Sequence, residues 1–308
     1  MRYLSADAQH IGSRNYQQDC YGFSDRGDLE FIGHGGYLAV LCDGMGGMEH
    51  GDLASQAAVR ALLDAYALKT PEESIPQALE RAVREANRRV LAIAEGVGRQ
   101  EGVGTTLVAA VLHANSLYFI SVGDSALFHL SGGQLQLVNR HHVYGNLLDQ
   151  AVARGVMSRD EAENHPERES LTSFIGIQVL REIDRNTEPW PLREGETVLL
   201  ASDGMFKTLE RTEILACLHG HPQSWPRALV DRTLAKALPG QDNVTVLSVT
   251  WADDSMTDWV PFPQGSVFEL AETQPMRRPL DLRILIVAWV VTLACAGLVT
   301  WWFFAAGR

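Results

Sequence analysis

Two hairpins constrain this chain more than any other feature. The apolar runs 105–112 and 117–122 are separated by residues 113–116, and the runs 126–130 and 134–138 by Ser131-Gly132-Gly133. Loops this short join antiparallel neighbours, whereas parallel strands need a crossover of a dozen residues or more. A doubly wound parallel sheet is therefore excluded. Further short apolar or alternating runs at 37–42, 197–202 and 244–250 predict three more strands. Two stretches instead repeat at helical spacing. One carries Leu53, Ala57, Ala61, Leu62, Ala65 and Leu68; the other carries Leu79, Ala82, Val83, Ala86, Val90, Ile93 and Ala94 and ends at Gly96. Shorter helices are predicted over 146–154, 158–165 and 225–238, with Ser158 and Glu161 at capping-box spacing. Strand clusters with helical pairs between them predict an α+β fold of antiparallel sheets covered by helices.

Composition narrows the class. With 308 residues, 46% of them apolar and 21% charged, the chain can bury a sizeable core. It is acidic, with a net charge of −12, and only three of its 26 basic residues are lysine. Neither property suits general nucleic-acid binding. Its four cysteines are scattered, without disulfide or paired zinc spacing, and read as reduced thiols.

The C-terminal end adds a second element. Residues 284–306 carry no charge. As a helix they span roughly 34 Å, enough for a bilayer core of about 30 Å. Trp301 and Trp302 lie where an interfacial aromatic belt would be, and Arg277, Arg278 and Arg283 precede the run, which places the N-terminal side in the cytoplasm. The first twelve residues lack the apolar core of a signal peptide. The organisation expected is an acidic folded domain over 1–252, a flexible acidic and proline-containing linker over 253–283, and a transmembrane helix over 284–306.

Four aspartates recur in one setting. Asp43 follows the run 38–42 and precedes Gly44; Asp203 follows 198–202 and precedes Gly204; Asp124 follows 117–122 and Gly123; Asp242 precedes Asn243 and the run 244–249. Any one alone reads as a turn residue or cap. Together, at the mouths of buried strands, they repel one another unless a cation neutralises them. Oxygen donors without His or Cys point to Mg²⁺ or Mn²⁺, and a carbonyl such as that of Gly44 can add to the set. Such metals handle phosphate, and a pair of them can support in-line displacement at phosphorus. Arg14, in the polar segment 12–19, suits the phosphoryl oxygens because its fork binds two at once. Asp19 suits an orienting acceptor near the attacking water.

These residues, in order from about Ser5 to Trp251, resemble the metal-dependent protein phosphatases (PPM), the type-two-C Ser/Thr phosphatases, in their bacterial form. The resemblance is carried by Arg14 with Asp19, by Asp43-Gly44-Met45-Gly46-Gly47 and Gly104-Thr105-Thr106, and by Gly123-Asp124-Ser125. It continues through the flap-like segment from Glu161-Ala162 to Gly176, and ends with Ser202-Asp203-Gly204 and Asp242-Asn243-Val244-Thr245. It implies a central sandwich of two antiparallel sheets flanked by helices, an α-β-β-α arrangement. It also implies hydrolysis of phosphoserine and phosphothreonine with Mn²⁺ or Mg²⁺. By the same resemblance Asp43 bridges two metals, Gly44 serves one, and Asp203 and Asp242 hold the other. In bacterial members a third, weaker metal uses the counterpart of Asp124 with help from that of Asp203, and Arg14 binds the substrate phosphate.

The sequence departs from the family pattern at four places. Gln17-Gln18 stands for Asn-Glu, Ala126 for an Arg, His141-His142 for Asp-His, and Met45 for the His that some members use as general acid. Phosphorylated Ser/Thr proteins are the implied partners, a cognate Ser/Thr kinase is implied by the reaction, and nucleic acid is not expected. The expected location is the bacterial inner membrane, with the catalytic domain in the cytoplasm. Two rival readings remain. One is a catalytically inactive, membrane-tethered phosphoprotein-binding module. The other is a cysteine phosphatase, suggested by the spacing of Cys20 and Arg26 and disfavoured because residues 28–31 do not read as the helix such a loop must open. His141, His142 and His165 read as solvated or capping histidines, and Cys42 as a packed core thiol. Phe174 and Trp190 read as packing residues.

Overall fold

The computed structural model describes residues 2–45, 50–96, 103–252 and 268–270. Its first half runs β1 (Arg2–His10), β2 (Asp19–Ser24), α1 (Leu29–Gly35), β3 (Tyr37–Asp43), α2 (Gly51–Tyr66), α3 (Ile75–Gly96), β4 (Leu107–His113), β5 (Ser116–Val122), β6 (Ala126–Ser131) and β7 (Gln134–Leu137). The second half runs α4 (Gly145–Ala153), α5 (Arg159–Glu163), β8 (Asp184–Arg185), β9 (Trp190–Pro191), β10 (Thr197–Ala201), α6 (Asp203–Phe206), α7 (Arg211–Cys217), α8 (Trp225–Leu234), β11 (Val244–Ala252) and β12 (Phe268–Leu270).

The strands form two antiparallel sheets. One has the order β1-β11-β10-β6-β7, the other β12-β2-β3-β4-β5-β8, with β9 also on β5. Period-two alternation sorts each strand's side chains between layers. From β3, Ala39 and Leu41 join Val108, Ala110, Val198, Leu200 and Leu247 between the sheets. Leu38, Val40 and Cys42 face the other way, under α2 and α3. On the far side, Leu199, Ala201 and Val246 pack beneath Met205, Ile214, Trp225 and Leu229 of α6, α7 and α8. The predicted α-β-β-α layering is therefore present, and strands buried on both faces explain why several runs are apolar throughout.

The hairpins and the capping box fall where the sequence places them. Ser158 accepts from the Glu161 N–H, and Glu161 returns to the Ser158 N–H at 2.9 Å. The long helix α3 buries the predicted stripe Leu79, Ala82, Val83, Ala86, Val90 and Ala94 and ends at Gly96. For α2 the buried face is turned from the predicted one. Ala54, Ala58, Val59, Leu62, Leu63 and Tyr66 point inward, whereas Leu53 and Leu68 are exposed. Alanine on both sides of this helix leaves the periodicity with little contrast.

Three expectations need correction. Residues 28–31 open a helix after all: Asp28 caps α1 by accepting from the Phe31 N–H at 2.9 Å. The cysteine-phosphatase reading still fails, because Cys20 lies buried within β2 and burial pushes its thiol up to about 12. His142 is not solvated but buried, with its Nδ1 accepting from the Gly123 N–H at 3.1 Å. Most of the expected linker lies outside the described residues, but Phe268–Leu270 pairs antiparallel with Gly22–Ser24 of β2 rather than running free. Residues 284–306 also lie outside the described residues, among which no helix is long and apolar enough to cross a membrane.

Candidate active site

Antiparallel registers bring the proposed site residues to one end of the sandwich. Asp19 opens β2 and Asp43 closes β3, and the two are direct cross-strand partners. Thr105 and Thr106 lie beside them. The Asp43 carbonyl accepts from the Thr105 hydroxyl at 2.8 Å and the Thr106 N–H at 2.8 Å, and the Asp43 N–H donates to Thr106 Oγ1 at 3.0 Å. Asp124 follows β5, whose last residue, Val122, pairs with Leu107 at the start of β4. In the second sheet β10 ends at Ala201, paired with Val246 near the start of β11. Asp203 and Asp242 flank those two strand ends.

Hydroxyls join the two sheets at this end. Asp19 Oδ2 accepts from Ser202 at 2.8 Å and from Thr245 at 2.6 Å. Its Oδ1 is buried without a hydrogen-bond partner. Asn243 fixes the loop carrying Arg14: its Nδ2 donates to the carbonyls of Ile11 and Tyr16 at 2.8 and 3.1 Å, and its Oδ1 accepts from the Gln18 N–H at 2.8 Å. The Gln18 carbonyl in turn accepts from the Gly44 N–H at 3.0 Å. Gly44 admits no side chain, because a Cβ there would meet the Gly51 carbonyl oxygen at 2.2 Å.

The carboxylates feel one another. Burial raises the Asp43 carboxyl well above the ordinary range, and the charges of Asp19, Asp203, Asp124 and Asp242 raise it further. Burial lifts Asp19 to about 7; the Thr245 and Ser202 hydroxyls oppose this, and the charges of Asp203 and Asp242 add to it. Burial also raises Asp124. Several of these groups hold a partner of their own. Arg14 Nη2 lies 2.7 Å from Asp242 Oδ2. Lys207 Nζ lies 2.9 Å from Asp203 Oδ2 and 3.1 Å from Asp124 Oδ2. Among the described residues no three His, Cys, Asp or Glu side chains close into a ready-made cage.

The donor set nevertheless fits divalent cations of the Mg²⁺ or Mn²⁺ kind. It is all oxygen, it gathers several carboxylates whose charges raise the buried Asp43, and it includes a buried carboxylate oxygen left without a partner. Arg14, Asp19, Asp43, Gly44, Asp124, Asp203 and Asp242 are thus all found at one end of the sandwich. Sequence reasoning missed Lys207, for which the only signal was its place four residues after Asp203 at the opening of a helix. It also missed the roles of Ser202, Thr245 and Asn243, which it had noted only as motif members. His141 lies near this edge, its ring 5.3 Å from that of Phe206, and burial pushes it down to about 4, so it is neutral at pH 7.

Comparison with known proteins agrees with this arrangement. The family model described as Protein phosphatase 2C matches residues 7–239. The serine/threonine phosphatase stp of Listeria welshimeri is 34% identical over 216 residues, covering 69% of this chain and 83% of its own length. The serine/threonine protein phosphatase PstP of Mycobacterium tuberculosis is 30% identical over 251 residues, 79% of this chain and 47% of that protein. Among solved structures, PppA of Pseudomonas aeruginosa superimposes with a TM-score of 0.64 at 28% identity, covering 81% of this chain and 98% of its own. The catalytic domain of PstP in complex with two manganese ions gives 0.62 at 26% identity, covering 82% and 99%. A match over residues 7–239, which takes in Asp19, Asp43, Asp124 and Asp203 and the strands from β2 to β10, has one consequence: this chain belongs to the protein phosphatase 2C family.

Proposed function

We propose that the chain is a metal-dependent protein phosphatase that hydrolyses phosphoserine and phosphothreonine in proteins, using Mn²⁺ or Mg²⁺. The observation that carries this reading is the meeting of Asp19, Asp43, Asp124, Asp203 and Asp242, from five separate stretches of sequence, around one strand end. Asp43, the Gly44 carbonyl, Asp203 and Asp242 would hold two metal ions, which when bound supply Lewis acidity and an activated water for attack at phosphorus. The remaining chemistry belongs to the chain's own groups. Arg14 binds the phosphoryl oxygens through its guanidinium fork once substrate competes with Asp242 for it. Asp19, held by Ser202 and Thr245, offers its free Oδ1 as acceptor to the attacking water and so orients it. Met45 has no proton to give, and His141 is neutral, so the leaving seryl oxygen takes its proton from water.

The same reading extends to location. Residues 284–306 would anchor the domain in the inner membrane, with the site in the cytoplasm beside a cognate Ser/Thr kinase. The support is the uncharged run itself and the three arginines preceding it.

Turnover of p-nitrophenyl phosphate and of a phosphothreonine peptide tests the chemistry. Activity with Mn²⁺ should vanish on chelation and return on adding Mn²⁺. Asp43→Asn and Asp242→Asn should each lower kcat by at least about 10²-fold, the scale on which a pre-organised electrostatic contribution is lost. Cys20→Ser should leave turnover intact. A wild-type protein that binds Mn²⁺ but hydrolyses neither substrate would replace this reading with that of an inactive phosphoprotein-binding module.

A further inference from the structure

Lysine is scarce in this chain, and one of its three lysines stands inside the acidic cluster. Lys207 follows α6 directly. Its Nζ lies 2.9 Å from Asp203 Oδ2, 3.1 Å from Asp124 Oδ2 and 3.6 Å from Glu169 Oε2. Asp124 is a buried carboxylate, its side chain 9% exposed, whereas the lysine stem is 38% exposed and reaches inward from the rim. The ammonium is therefore the cation between two carboxylates from different parts of the fold, the turn after β5 and the start of α6. These are the two positions to which the family resemblance assigns a third, weaker metal.

We propose that Lys207 takes the place of that third ion: its ammonium neutralises the Asp124–Asp203 pair, and the chain accepts two divalent cations rather than three. This rests on the phosphatase reading and deepens it. The residues present do not fit a further divalent ion. Oδ2 of each aspartate already accepts from the ammonium, and a metal placed between them would lie against a fixed positive charge. An ammonium has three donors and no lone pair, so it cannot join a metal's ligands. Nor is the contact an ordinary surface ion pair of little consequence. Among the described residues the ammonium is the cation that offsets the buried Asp124, and removing it leaves a buried carboxylate that favours recruiting another cation. Lys207 also reaches Glu169, which follows α5 in the flap-like segment, so one side chain serves both the metal edge and the segment beside it.

The test counts ions on the full-length chain, purified in detergent and stripped of metal. Bound Mn²⁺ is measured by electron paramagnetic resonance of the free ion, from micromolar into the millimolar range. Wild type should saturate at two ions, as should Lys207→Arg, which keeps the positive charge. Lys207→Asn and Lys207→Asp should each gain a third, weaker ion. Asp43→Asn should lose high-affinity binding in either background, which places the first two ions at the paired site. Far-ultraviolet circular dichroism of each variant reports folding, so a variant that fails to fold is replaced by Lys207→Met, for which a third ion is also expected. The proposal is overturned if wild type binds three ions, or if the folded variants without the charge still stop at two. A wild type that binds no Mn²⁺, or binds it equally well after Asp43→Asn, instead overturns the phosphatase reading beneath it.

Discussion

Asp19 shows how one residue can be made ready for a metal-dependent reaction at a cost to the metal-free protein. Its carboxyl is buried, lifted to about 7, and held by two hydroxyls that favour the charged form. In an unfolded chain the same group titrates near 3.9. A carboxyl raised on folding contributes stability below its unfolded value and loses it as pH rises through the folded value. Asp43 is raised in the same direction. The metal-stripped protein should therefore melt several degrees lower at pH 8 than at pH 5, and Mn²⁺ should raise the melting temperature more at pH 8 than at pH 6. Differential scanning calorimetry across that range checks it; a flat profile for the stripped protein would mean that Asp19 and Asp43 ionise as ordinary carboxylates. Thr245→Val keeps the shape and removes the 2.6 Å donor to Asp19. It should cost about 1–3 kcal/mol at pH 8, where the carboxylate is charged, and less at pH 5, as read from urea unfolding.

Elements place these residues, and here the reach of sequence reasoning can be judged. The hairpins between β4 and β5 and between β6 and β7 were legible because turn chemistry is local, and α3 because its stripe is long. The four aspartates were legible because each follows or precedes a readable strand. β1 was not, since its run Arg2–His10 becomes a strand only through pairing along all of β11. α1 was not, since seven residues set by one cap carry too little periodicity. Lys207 was invisible for a related reason: nothing local to it reports that Asp124, 83 residues away, will lie beside it. α6 adds a close approach that can be tested. A Cβ on Gly204 would meet the Asn243 carbonyl oxygen at 2.1 Å, so the start of this helix, and Asp203 with it, sits against the backbone preceding β11. Gly204→Ala should cost at least about 2 kcal/mol and weaken Mn²⁺ binding at least tenfold, because backbone has to move apart where the ligands converge. Gly33→Ala is the control. It lies in α1 with nothing within 4 Å of the added Cβ, and should be neutral or stabilise by up to about 1 kcal/mol. Equal effects at both glycines would remove the packing explanation.

At the scale of the whole molecule, charge separates two ways of reaching a membrane. The chain carries −12 overall, and an acidic domain is repelled by an anionic leaflet. Any retention of this protein on membranes must then come from the uncharged run 284–306, with the arginines before it adding a smaller contribution. A hydrophobic span resists high salt and alkaline carbonate, whereas electrostatic adsorption is lost once the screening length falls to a few ångströms, as at about 1 M salt. The full chain should therefore stay in the membrane pellet through both washes. A truncation to test this has to respect the sheet. Cutting after Ala252 would remove Phe268–Leu270 and expose the edge of β2, whereas Met1–Ala271 keeps that pairing. The Met1–Ala271 chain should move to the supernatant and hydrolyse p-nitrophenyl phosphate at the full-length rate, since the site is built entirely from residues before the cut. On membrane-bound phosphoproteins it should be slower than the full chain, because a tether of about 12 residues between the β2-paired segment and an anchoring run would keep the domain close to the bilayer and raise its effective concentration there. Full-length protein found in the supernatant before any wash would rule out the anchor while leaving the metal chemistry of the domain untouched.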